Sequence, residues 1–118
     1  MKRSKYIKPL IEKIKEVNPA RIILFGSYAY GEPDEDSDID ILVVTSDDFV
    51  PQSFDEKMKI NLAISGLISE IKSKHPVDLI VHTIPMHKKF ISMESMFSKK
   101  IISEGKIVYE GNNPAMAS

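Results

Sequence analysis

The sequence predicts an α/β (α+β) fold in which helices flank a small mixed central sheet. Apolar runs of strand length alternate along the chain with segments whose apolar residues recur every three or four positions. The length of 118 residues suits one domain, and 42% hydrophobic with 28% charged residues is an ordinary globular mixture. The order of these segments leaves open which strands run parallel.

The first helix is predicted by an apolar face with spacings of three and four. Its members are Ile7, Leu10, Ile14 and Val17. Pro9 fits only near the start of this helix, where amide donors lack partners anyway. The continuous apolar run 21–25 ends at Gly26 and indicates a buried strand. A second strand over 38–45 begins with alternation and then becomes wholly apolar.

The second half of the chain predicts two helical regions and two strands. Ser53 followed by Glu56 is a capping box that opens a helix. The apolar face of that helix consists of Ile60, Ile64, Leu67 and Ile71. Residues 77–81 form a third buried strand, 84–103 a helix broken once, and 106–109 a last short strand. We expect one domain over 1–110 and a flexible tail over 111–118.

Composition excludes several classes of protein. Sixteen basic and 17 acidic residues leave a net charge of −1, which argues against direct nucleic-acid binding through a basic coat. The absence of cysteine excludes disulfide scaffolds, cysteine-ligated zinc and thiol catalysis. The longest apolar runs are too short to span a bilayer, and no apolar stretch follows the basic N-terminus as in a signal peptide. We therefore expect no membrane association and a cytoplasmic location.

Two carboxylates stand at the start of the second strand. Because side chains alternate along a strand, Asp38 and Asp40 share one face, while Ile39 and Ile41 point into the core. Neighbouring carboxylates repel each other unless a cation lies between them. Mg²⁺ prefers such hard oxygen ligands together with phosphates and water.

A third acid, Asp78, lies inside the apolar run 77–81, where a carboxylate needs a partner or a function. If its strand pairs beside the second strand, the three carboxylates converge and could hold two Mg²⁺ ions for displacement at phosphorus. Gly26 and Ser27 directly follow the first strand. Glycine lets the backbone approach a phosphate, and the Ser27 hydroxyl adds a donor.

Two rival motifs fail on single residues. Gly26 and Gly31 have the spacing of a P-loop, but Glu32 stands where that loop has its lysine. A calcium-binding EF-hand loop starting at Asp34 would need glycine at its sixth position, which is Ile39.

Gly26-Ser27, ten further residues and Asp38-x-Asp40 resemble the signature of the DNA polymerase β-type nucleotidyltransferase superfamily. The short chain and its closing segment 103–110 resemble the minimal nucleotidyltransferases, the MntA-like antitoxins. The resemblance implies an enzyme that uses ATP and two Mg²⁺ ions. The family often has arginine before the second glycine of the loop, where this sequence has Tyr30.

The resemblance also implies roles for individual residues. Gly26 and Ser27 would bind the triphosphate. Asp38, Asp40 and Asp78 would be the catalytic metal ligands, and Asp78 would also help to activate the acceptor hydroxyl.

The partner expected from the resemblance is a helical HEPN-type toxin, one tyrosine of which would receive AMP. The chain would then be the antitoxin of a toxin–antitoxin pair. No residues remain for an acceptor-binding domain, so we expect a homo- or hetero-oligomer to complete the site. Two alternatives stay open: an antitoxin or regulatory module that acts by binding alone, and a nucleotidyltransferase for small molecules.

Other polar and apolar groups have simpler readings. The acidic loop 32–36 is expected to be solvated, and the histidines show no metal-ligand spacing. The helical region 84–103 carries more apolar surface than one helix face needs. Core packing explains most of this surface, and a protein partner is the alternative. The residues concerned are Met86, Phe90, Met93, Met96 and Phe97.

Overall fold

The structure is a computed structural model that describes residues 5–31, 33 and 37–113. Within these ranges the chain forms six helices and four strands. In chain order they are α1 (Ile7–Lys15), β1 (Arg21–Phe25), α2 (Ser27–Tyr30), β2 (Ile39–Val44), α3 (Phe54–Leu67), α4 (Ser69–Lys74), β3 (Val77–His82), α5 (Ile84–Ser92), α6 (Met96–Glu104) and β4 (Lys106–Glu110).

The four strands form one mixed sheet in the order β3-β2-β1-β4. β1 pairs antiparallel with β2 and with β4, whereas β2 and β3 run parallel. The parallel connection passes through α3 and α4, as parallel neighbours need a helical crossover. The predicted fold, a small mixed sheet flanked by helices, is confirmed.

Both faces of the sheet are covered, which explains why β1 from Ile22 and β2 from Ile41 are continuously apolar. One face carries Ile22, Leu24, Ile39, Ile41 and Val43 beneath α1 and α3. The opposite face packs against α5 and α6 and carries Ile23, Phe25, Leu42 and Val44. Asp40 belongs to this second face because side chains alternate along β2.

Two helix predictions need correction. Val17 lies beyond the end of α1 and is 42% exposed, because the chain turns at Asn18 toward β1. The helix predicted from Ser53 through Ile71 is interrupted at Ile68, whose backbone leaves the helical region. The interruption buries Ile68 completely, a residue outside the predicted apolar face.

Of the two hydrogen bonds that the predicted capping box at Ser53 requires, one forms as predicted. The Ser53 hydroxyl accepts the amide of Glu56 at 3.2 Å and caps α3 as predicted. The Glu56 carboxylate, however, accepts the backbone N–H of Gln52 at 3.0 Å rather than that of Ser53.

Parts of two predicted features, the acidic loop at 32 and 34–36 and the tail at 114–118, lie outside the described residues. Within the described ranges, no helix has the length and apolar character needed to cross a membrane.

Candidate active site

The bend after β1 depends on a glycine. Gly26 has φ +71° and ψ −157°, a backbone conformation that side-chain-bearing residues rarely adopt. Its carbonyl accepts the amides of Ala29 and Tyr30 at 3.0 Å, so α2 starts at Ser27 without an intervening loop. This places the Ser27 hydroxyl and the Gly26 backbone at the end of a buried strand.

Gly26 also leaves space for Asp40. Phe25 is the register partner of Asp40, which places Gly26 just beyond that residue pair. A Cβ at position 26 would overlap the Asp40 carboxylate and lie 2.8 Å from Asp40 Cγ. The close approach of the glycine bend to the acid therefore depends on the missing side chain.

The strand register brings the predicted acids together. Asp40 of β2 and Asp78 of β3 are direct partners in the parallel pair, so their side chains lie on the same face. Asp38 directly precedes β2 and acts electrostatically on Asp40. Ile39 and Ile41 are completely buried on the opposite face, as predicted.

The position of Asp40 perturbs the pKa of its carboxyl group. Partial burial raises its pKa to about 6, and the negative charges of Asp78 and Asp38 and a side-chain hydrogen bond with Asp78 act in the same direction. Clustered carboxylates with a raised pKa lack a counter-charge, and either a proton or a cation can provide one.

The donor set suits Mg²⁺ chemically, since it consists of carboxylate oxygens on one face beside a bend that can approach phosphate. In the described ranges, no three acidic or histidine side chains already surround a common metal position. Asp40 and Asp78 are hydrogen-bonded to each other instead. A cation bound between them would use the same carboxylate oxygens, so the residues fit the ion.

His75 holds the approach to the acids in place, a role that no sequence pattern indicates. Its Nε2 lies 2.9 Å from the Ser37 carbonyl, so Nε2 carries the hydrogen and donates it. The Ile39 amide donates to the Pro76 carbonyl at 3.1 Å. These two bonds join the residues on either side of Asp38 to the segment before Asp78.

A lysine that the sequence did not single out lies near the glycine bend. Lys100 Nζ is 4.9 Å from the ring centroid of Tyr30, the last residue of α2. One turn earlier in α6, Phe97 packs edge-on against Phe25 at 5.8 Å between centroids. Lys100 therefore brings a positive charge to the face of the sheet that carries the acids.

His82 does not belong to the acid cluster. It is four residues from Asp78 along β3, about 13 Å at 3.3 Å per residue. Its Nδ1 is 3.2 Å from Nδ1 of His87, which is completely buried. Burial lowers the pKa of both imidazoles to about 4. The positive charge of Lys57 lowers the pKa of His82 further. His82 and Arg21 do the same for the pKa of His87.

We expect this histidine pair to make the protein less stable in acid. Between pH 6.5 and about 4 the unfolded chain binds protons that the folded protein excludes, so the free energy of unfolding falls as the pH falls. The slope is at most about 1.4 kcal/mol per pH unit for each histidine. Urea unfolding across this range measures it.

His87→Asn is the informative variant, because the amide can still donate to His82 but cannot be protonated. The carboxylates contribute to the pH dependence of the unfolding free energy in both proteins. Subtracting the slope of the variant from that of the wild type therefore removes their contribution. We expect the variant to have a shallower pH dependence; identical slopes would contradict the account.

A family model, "Nucleotidyltransferase domain", matches residues 5–109. The chain belongs to this family. Its members are nucleotidyltransferase enzymes, and the matched residues include the glycine bend and all three acids. The family assignment from the sequence is confirmed.

One sequence relative and two solved structures are consistent with this family assignment. A protein of Methanocaldococcus jannaschii named "Putative protein adenylyltransferase MJ0604" is 33% identical over 112 residues, which cover 92% of this chain and 100% of the relative. A crystal structure described as a toxin–antitoxin with AMP-PNP superposes with a TM-score of 0.56 at 22% identity, covering 94% of this chain and 79% of that one. The toxin–antitoxin MntA-HpeT mutant D39ED41E gives 0.54 at 19% identity, with coverages of 89% and 73%.

Proposed function

We propose that this nucleotidyltransferase transfers AMP from ATP to a tyrosine hydroxyl of a helical HEPN-type toxin and so acts as an antitoxin in the cytoplasm. The placement of Asp38, Asp40 and Asp78 beside the bend at Gly26 carries the enzymatic part of this proposal. The relative named as a putative protein adenylyltransferase supports a protein as the acceptor, and the toxin–antitoxin structures support an antitoxin role.

In the proposed reaction the acceptor oxygen attacks the α-phosphorus of ATP. A new P–O bond forms, the bond between the α-phosphorus and the oxygen bridging to the β-phosphate breaks, and pyrophosphate leaves. Asp78 is the more exposed carboxylate of the hydrogen-bonded pair and takes the hydroxyl proton, either directly or through water. Asp40, held against Gly26, fixes the position of the cluster.

Two Mg²⁺ ions held by Asp38, Asp40 and Asp78 would neutralise negative charge on the phosphates and on the attacking and leaving oxygens. The Gly26 backbone and the Ser27 hydroxyl orient the triphosphate beside them. Lys100 supplies the positive side chain on the same face.

Lys100→Met should raise KM for ATP about tenfold with a smaller change in kcat. A charge-assisted contact with a phosphate contributes about 1.5–3 kcal/mol, and about 1.4 kcal/mol corresponds to one factor of ten. Lys99→Met, at the exposed neighbouring position, is the control and should leave KM unchanged. Lys100→Arg should retain most of the ATP affinity; equal KM values in all three variants would rule out this role.

Intact-mass spectrometry of a helical partner encoded by the adjacent gene, after incubation with this protein and Mg-ATP, tests the proposed function. We expect a mass increase of whole adenylyl groups on the partner, located on tyrosine by fragmentation. No increase with folded proteins that bind each other would overturn the proposal in favour of an antitoxin that acts by binding. Adenylylated small molecules alone would favour the other alternative.

A further inference from the structure

A second concave site lies away from the acids. A cleft of about 590 Å³ opens between the segment 50–57 and α5, within the size range of ligand sites. Its apolar lining includes Val50, Phe54, Met86, Phe90 and Met93. Phe54 is 74% exposed and Met93 is 65% exposed, so apolar surface continues onto the rim. Exposed apolar surface of this kind is typical of a docking site.

The charged side chains that line the cleft are cationic, and Gln52 and Ser53 add neutral polar groups. Lys57 of α3 and Lys89 of α5 supply the charge, and no acidic residue is among the described residues that line the cleft. Neither lysine forms an ion pair with another described residue. The charge of the cleft therefore complements an acidic ligand.

His82 adds a donor whose hydrogen position follows from its neighbour. His87 Nε2 is buried and has no hydrogen-bond partner among the residues that the structure describes, so a hydrogen there would be an unsatisfied buried donor. The His87 hydrogen is better placed on Nδ1, where it is donated to His82 Nδ1. His82 then carries its own hydrogen on Nε2, and its ring lines the cleft.

The cleft also has a defined position relative to the acids. His82 and Asp78 point to the same face of β3, about 13 Å apart at 3.3 Å per residue. About four residues of extended chain span this distance. A peptide segment held in the cleft could therefore present a neighbouring hydroxyl to the acid cluster.

We propose that this cleft docks the acceptor protein through a segment with one bulky apolar side chain flanked by acidic residues. The apolar side chain fills the space between Phe54, Met86 and Phe90, while Lys57, Lys89 and His82 bind the acids. This inference rests on the proposed function, in which the acceptor is a protein.

Selection of peptides from a random dodecapeptide display library against the immobilised full-length protein tests the proposal. We expect enriched peptides to combine a large apolar residue with Asp or Glu. Synthetic copies should lose at least tenfold in affinity with Lys57→Glu or Lys89→Glu. Lys59→Glu, on the same helix but outside the cleft, should bind like the wild type.

Three results would overturn the docking proposal: no enrichment, enriched peptides without acidic residues, or equal affinities for Lys57→Glu and Lys59→Glu. Sedimentation of the free protein tests for a fourth contradicting result. If the protein is a dimer and Phe54→Ser dissociates it, the cleft binds a second copy of this chain. Peptide binding requires no ATP. Absence of peptide binding with adenylyl transfer intact would therefore overturn only the docking proposal. Peptide binding without adenylyl transfer would overturn only the proposed function.

Discussion

Asp40→Asn should abolish adenylyl transfer and leave the protein folded. Asp40 is the central member of the acid cluster, with Asp78 as its register partner and Asp38 two residues away. If its charge supplies about 4 kcal/mol of transition-state stabilisation, the rate falls about 10³-fold. Initial rates of transfer from α-labelled ATP measure the effect.

Stability distinguishes a functional from a structural role for Asp40. The raised pKa of Asp40 shows that its ionised form is unfavourable where it lies, so the neutral amide should leave Tm unchanged or higher. Asp55→Asn, at an exposed position in the first turn of α3, is the matched control and should keep full activity. Lower Tm together with lower activity in Asp40→Asn would mean that the acid mainly supports the fold.

Gly26→Ala should damage both stability and activity. The φ of +71° alone costs a side-chain-bearing residue about 1–3 kcal/mol, and the added methyl overlaps the Asp40 carboxylate. The structure can relieve the overlap only by moving the bend or the acid. A displacement of about 1 Å in such a site can lower the rate about 10²-fold.

Gly66→Ala is expected to have the opposite effect on stability. Position 66 lies in the last turn of α3, and a Cβ there would meet no described atom within 4 Å apart from its chain neighbours and its own helix backbone. Alanine in a helix is favoured over glycine by about 0.5–1 kcal/mol, so this variant should be more stable and fully active. Urea unfolding and transfer assays on both variants check the pair. Equal stability of Gly26→Ala and wild type would contradict the proposed packing of the bend.

The local part of the site could be predicted from the sequence because it depends on short-range geometry. Alternation alone places Asp38 and Asp40 on one face and Ile39 in the core. The strand from Arg21 to Phe25 follows from its apolar run, and the structure gives the same bounds. Asp78 was recognisable as an acid in an apolar strand, but only the parallel register makes it the partner of Asp40.

The remaining features depend on contacts between distant segments. The overlap between position 26 and Asp40 arises from the pairing of β1 with β2 and has no sequence pattern. Lys100 looks like one of several solvated lysines until α6 packs beside Tyr30. The interruption at Ile68 is likewise a tertiary effect, since burying that side chain outweighs the preference for a continuous helix.

Binding of Mn²⁺ in place of Mg²⁺, followed by electron paramagnetic resonance, tests most directly whether the acid cluster holds a cation with the nucleotide. With AMP-PNP present, the wild-type protein should remove more free Mn²⁺ from solution than the same concentration of AMP-PNP removes alone. The double variant Asp40→Asn with Asp78→Asn, folded by circular dichroism, should not. Equal Mn²⁺ binding by the two proteins would contradict the central role given to these carboxylates.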